Sequence, residues 1–96
     1  MKRGGNAVDA AIATAITLGV VDGHNSGLGG GCFILIRAAD GTVTAIDGRE
    51  TAPDAATDQL FVKPDGKPMA FADAVVGGRS VGVPGTPRLL EVAHAR

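Results

Sequence analysis

The sequence predicts an α+β chain that forms part of a domain, with a helix near each end and a β-hairpin between them. Three observations carry this expectation. Asn6 to Leu18 is an alanine-rich run of helical period behind a capping signal, Cys32 to Asp47 holds two strand-like runs joined at Asp40-Gly41, and Thr86-Pro87 opens a second amphipathic run. A lone two-stranded ribbon is marginal in water, and two helices at opposite chain ends hardly cover a strand on both faces. The missing layers are expected from further polypeptide.

The first helix is expected over about Ala7 to Leu18. Asn6 is placed to cap it and Asp9, three residues on, completes a variant of the capping box while setting a negative charge on the positive end of the helix dipole. Val8, Ile12 and Ile16 share one face, and the alanines around them make the rest small rather than charged, so this helix is expected to be buried on most sides. Gly19 is the predicted stop. Met1-Lys2-Arg3 leads at once into the helix start, an abruptness that predicts a chain cut from a longer one.

Asp22 to Gly31 carries five glycines in ten residues. Such backbone freedom is kept where positive φ or very close approach of another segment is required. Cys32 to Ile36 is continuously apolar and reads as a strand covered on both faces. Asp40-Gly41 supplies the turn, and Thr42 to Asp47 returns as a β-branched partner. Beyond Pro53 the signals weaken. Lys63 to Pro68 reads as an exposed turn, Phe71 and Val75-Val76 are expected to dock this excursion on the body, and Ser80 to Val83 forms a short strand. Thr86 is expected to cap the last helix, with Pro87 at its first position and no stop before Arg96.

Composition narrows the function classes. The chain has 96 residues, 45% of them hydrophobic but only 3% aromatic, so its core must be built from Ala, Val, Ile and Leu. A net charge of -1, with Lys and Arg scattered singly, offers no stripe to follow a phosphate backbone, and nucleic acid is excluded as a partner. The only cysteine, Cys32, reads as a buried, inert thiol. No signal peptide is visible, and Ala10 to Val21 falls short of the roughly 20 residues a membrane span needs.

The chemical candidates thin out in the same way. Gly27-x-Gly29 starts like a dinucleotide motif, but Cys32 stands where the third glycine is needed and the loop precedes a strand instead of following one. His24 and His94 are far apart, and no Cys or His pair has ligand spacing, so neither metal nor cofactor is expected. His24, beside Asp22, reads as a solvated loop histidine. Ser26 lacks a nucleophile's frame and a base, Thr14 and Thr17 are helix-face hydroxyls, and Thr51 has no group to activate it. Asp47, Arg49 and Glu50 remain as the one dense charge cluster at a strand end. It can be a plain ion pair, or Arg49 can offer its guanidinium to a carboxylate through two parallel hydrogen bonds.

Four motifs bear on that choice: Gly4-Gly-Asn-Ala-Val-Asp-Ala-Ala11, Asn25-Ser-Gly-Leu-Gly-Gly-Gly31, Asp47-Gly-Arg-Glu-Thr-Ala-Pro53 and Ser80-Val-Gly-Val-Pro-Gly-Thr86. In order and spacing they resemble the N-terminal part of the γ-glutamyltranspeptidase large subunit, over nearly the whole chain. The resemblance implies an N-terminal-nucleophile hydrolase, two stacked sheets between helical layers in an αββα sandwich, of which residues 1–96 would be a partial large-subunit domain. It implies a precursor that cleaves itself to expose a threonine, which attacks γ-glutamyl amides such as glutathione and passes the acyl group to water, amino acids or peptides. It also implies that Arg49 binds the α-carboxylate of the γ-glutamyl group. The glycine loop would be packing, not the oxyanion hole.

The nucleophile, the oxyanion-hole glycines and the groups for the substrate amino group belong to the family's small subunit, and nothing here matches them. The catalytic residues are therefore expected outside this chain, and the isolated chain is expected to be inactive. The expected partners are a small γ-glutamyl substrate, the rest of the large subunit and the small subunit. By resemblance the protein would be periplasmic or extracellular. The alternatives are a non-catalytic interaction module that pairs through its sheet edges, and a related acylase of cephalosporin acylase type.

Overall fold

A computed structural model describes residues 2–96; Met1, where the expected abrupt start begins, lies outside them. The chain divides into two compact units, Met1–Glu50 with Pro84–Arg96, and Thr51–Val83.

In the first unit, helix α1 spans Ala7–Val21. Asn6 Oδ1 accepts the N–H groups of Val8 and Asp9 at 2.8 and 3.1 Å, and Asp9 Oδ2 accepts the Asn6 N–H at 2.8 Å, so the capping box forms in both directions. The helix does not stop at Gly19. It carries on to Val21, and the N–H of Asp22 closes the last turn on the Leu18 carbonyl at 2.9 Å. Gly19 keeps negative φ, so the left-handed geometry that would have ended the helix there is absent.

Strands β1 (Cys32–Arg37) and β2 (Val43–Gly48) form the antiparallel hairpin, with Cys32 opposite Gly48 and Arg37 opposite Val43. At the turn Gly41 takes φ +90°, and Asp40 Oδ1 accepts the Thr42 N–H at 2.9 Å. That bond holds the Asp40 carboxyl below its ordinary value.

Helix α3 spans Thr86–His94 and packs on both strands and on α1; its Leu89, Leu90 and Ala93 form the buried core. Gly48 makes the closest of these contacts possible, since a methyl there would stand 2.6 Å from Leu89 Cβ. Two expectations fail at this helix. Thr86 is its first residue rather than its cap, and its hydroxyl goes elsewhere; the helix also ends at His94, with Ala95 as its C-cap.

Burial within the chain is one-sided, contrary to expectation. Cys32, Ile34 and Ile36 are half-buried, whereas Phe33 and Leu35 on the other face of β1 are 65% and 76% exposed. No residue of α1 is buried, and its Val20 and Val21 are largely exposed. The cause is geometric: α3 occupies one face of the hairpin, and a six-residue ribbon offers it only alternate side chains.

The second unit is closed at its base by reciprocal backbone bonds between Thr51 and Val83, at 3.4 and 2.8 Å. The exposed turn forms as expected, Lys63 and Lys67 pairing across Gly66 at φ +79°. The strand expected at Ser80 to Val83 does not form. Gly78–Ser80 is a 3₁₀ turn following Gly77 at φ +100°, and the Ser80 hydroxyl donates to the Val75 carbonyl, leaving Val83 a single bridge. Phe71 opens helix α2 (Phe71–Val75) and is 82% exposed, as Val76 is at 78%, so neither is the packed anchor expected. Among the described residues no helix is long and apolar enough to cross a membrane.

Candidate functional site

Arg49 directly follows β2, whose last residue, Gly48, is buried under Leu89. The strand end is therefore fixed while the Arg49 side chain stays 66% exposed. The three charges expected to cluster here divide their work. Asp47 Oδ1 accepts the Arg49 backbone N–H at 2.8 Å, an Asx-type turn that removes this carboxylate from the guanidinium. Glu50 pairs with the guanidinium instead, its Oε2 lying 3.3 Å from Arg49 Nη1.

Glu50 Oε2 is buried and no hydrogen bond reaches it, so the Arg49 contact is one of charge without good hydrogen-bond geometry. Such an arrangement leaves most of the five guanidinium N–H groups free for another acceptor. A carboxylate arriving from solvent would find the planar fork available for two parallel bonds.

The glycine loop supports this strand end from behind. None of Gly27, Gly29, Gly30 or Gly31 has positive φ, so of the two reasons for a glycine-rich segment only close approach applies. It applies at Gly31, where a methyl would stand 2.6 Å from the Gly48 carbonyl oxygen and 2.7 Å from both the Glu50 amide nitrogen and Oε2. The Gly30 carbonyl accepts the N–H groups of Gly85 and Thr86, both at 3.2 Å, and the Thr86 hydroxyl at 3.0 Å. Thr86 was expected only as a cap; no sequence signal ties it to a loop so distant in the chain. A cleft of about 650 Å³ opens beside the loop, lined by Leu18, His24, Gly29, Gly31, Glu50 and Thr86. Arg49 does not line it.

The other candidates stay apart. His24 is 82% exposed, with Nδ1 at 3.5 Å from Asp22 Oδ1, as a solvated loop histidine would be. Thr14 and Thr17 donate to the Ala10 and Ala13 carbonyls within α1. Cys32 is half-buried rather than buried, its Sγ 3.7 Å from the Thr86 hydroxyl. Among the described residues no group of three or more His, Cys, Asp or Glu side chains could hold a metal.

The family described as Gamma-glutamyltranspeptidase matches residues 1–96. The glutathione hydrolase proenzyme of Bacillus subtilis is 44% identical over 96 residues, covering 97% of this chain and 16% of that protein. The γ-glutamyltranspeptidase of Pseudomonas nitroreducens, solved in complex with L-DON, superimposes with a TM-score of 0.88 at 43% identity, over 99% of this chain and 28% of that one. The transpeptidase CapD of Bacillus anthracis superimposes with a TM-score of 0.69 at 40% identity, over 98% of this chain and 26% of that one. This chain thus spans about a sixth of the length of the curated relative.

Proposed function

The chain belongs to the γ-glutamyltranspeptidase family, and from that membership we propose that it supplies the substrate-carboxylate grip of an enzyme that cleaves γ-glutamyl amides such as glutathione. In this reading residues 1–96 are part of the large subunit in an αββα sandwich of the N-terminal-nucleophile type, and Arg49 holds the α-carboxylate of the γ-glutamyl group. The acyl group passes to water or to an amino acid or peptide. The observation that carries the proposal is the state of Arg49: fixed at its backbone, two-thirds exposed at its side chain, and opposed by one carboxylate with poor hydrogen-bond geometry.

The threonine nucleophile and the oxyanion hole would come from the small subunit of the same precursor; the Bacillus subtilis relative is itself named a proenzyme. Positioning an acyl group without a nucleophile achieves nothing, so the 96-residue chain alone is inactive in this account. The remainder of the precursor would also cover the exposed face of Phe33 and Leu35.

The test is Arg49→Ala in the complete, self-processed enzyme. With the substrate bound and the pair enclosed by the rest of the enzyme, loss of one partner of the charge pair would cost about 2–5 kcal/mol of substrate binding, and Arg49→Lys should rescue poorly because one ammonium cannot reproduce the fork. A kcat/KM for a γ-glutamyl substrate within a few-fold of wild type in Arg49→Ala would overturn the assignment.

A further inference from the structure

Thr86 is the one buried polar side chain among the described residues, 8% exposed, and its hydroxyl does not cap the helix it begins. It donates to the Gly30 carbonyl at 3.0 Å, where the Gly85 and Thr86 N–H groups also converge. Three donors from one helix start thus fix a single carbonyl, whose lone pairs are fully used.

What that carbonyl anchors bears on Arg49. Gly31, next in the chain, lies against the Gly48 carbonyl and the backbone and carboxylate of Glu50 with no room for a methyl. From the other side Gly85 presses on the Gly48 carbonyl too closely for any side chain, and a methyl on it would stand 3.0 Å from the Arg49 carbonyl oxygen. Gly48 and Glu50, the neighbours of Arg49 in the chain, are therefore held between Gly30-Gly31 and Gly85-Thr86. The guanidinium has only its loose ion pair with Glu50, so its direction is set by this backbone.

We infer that Thr86 is a positioning residue for Arg49: by locking the Gly30 carbonyl, its hydroxyl fixes the strand end from which the guanidinium reaches the substrate carboxylate. The inference rests on the reading of Arg49 as the carboxylate grip.

It is tested by kinetics of the complete, self-processed enzyme carrying Thr86→Val, which keeps the shape and deletes the donor, and Thr86→Ser, which keeps the donor. The two N–H donors still satisfy Gly30 in the valine variant, so the fold is expected to survive. Loss of one hydrogen bond corresponds to a KM for a γ-glutamyl substrate raised about fivefold, with kcat little changed. Serine should restore most of it, and in an Arg49→Ala background Thr86→Val should add nothing. Should the valine variant process poorly, Thr86→Ala, which cannot clash, is measured on the processed fraction and is expected to show the same dependence on Arg49. An unchanged KM in Thr86→Val or its substitute, beside a raised one in Arg49→Ala, overturns this inference alone. An equal rise with and without Arg49 marks a merely structural role and also overturns it. An unchanged KM in Arg49→Ala removes the reading of Arg49 itself, and this inference with it.

Discussion

At Gly31 the chain has no space for a side chain, because the Gly48 carbonyl and the Glu50 backbone already occupy it, whereas Gly27 and Gly29 face open space. Gly31→Ala in the complete enzyme is expected to cost about 1–3 kcal/mol, the range for overpacking, and Gly27→Ala or Gly29→Ala no more than about 0.5 kcal/mol. Thermal melting of the three variants checks the contrast, and equal Tm values would refute it. The sequence showed that the loop needed glycines, but composition cannot say which backbone arrives, so the one position where close approach matters was hidden. Arg49 was legible as a cation at a strand end. The diversion of Asp47 to a backbone N–H, and the long reach of Thr86 to Gly30, were not, since both depend on partners that only the fold brings near.

Among the elements, the hairpin was the most legible, because its turn chemistry is local. Asp40 accepts the Thr42 N–H and Gly41 takes the positive φ that an Asp-Gly pair announces. Its depressed carboxyl value has a definite sign. The folded state favours the ionised form, so the contribution is present above the ordinary aspartate range and is lost as the pH falls through the lower folded-state value. Asp40→Ala should therefore lower Tm at neutral pH, with the difference from wild type closing on acidification; a difference independent of pH would argue against it. Helix ends were less legible. Gly19 is a stop only if it turns left-handed, and α1 continues through it, while the Ser80 hydroxyl draws its segment into a 3₁₀ turn where β-branched neighbours had pointed to a strand.

For the molecule as a whole, burial of the hairpin is one-sided. The continuous apolar run in β1 asks for cover on both faces, and α3 covers one, leaving Phe33, Leu35 and Val43 exposed. The run is continuously apolar, yet within these 96 residues its two faces differ in burial. The relatives it matches are much longer, the chain covering 16% of the Bacillus subtilis protein and 28% of the Pseudomonas nitroreducens one. The central claim, that Arg49 grips the substrate α-carboxylate, is tested most directly by a double cycle in the complete, self-processed enzyme. Wild type and Arg49→Ala are each assayed with a γ-glutamyl substrate and with its α-carboxamide counterpart. Wild type is expected to prefer the carboxylate strongly while Arg49→Ala treats the two nearly alike, a coupling of about 2–5 kcal/mol. An undiminished preference in Arg49→Ala would contradict it.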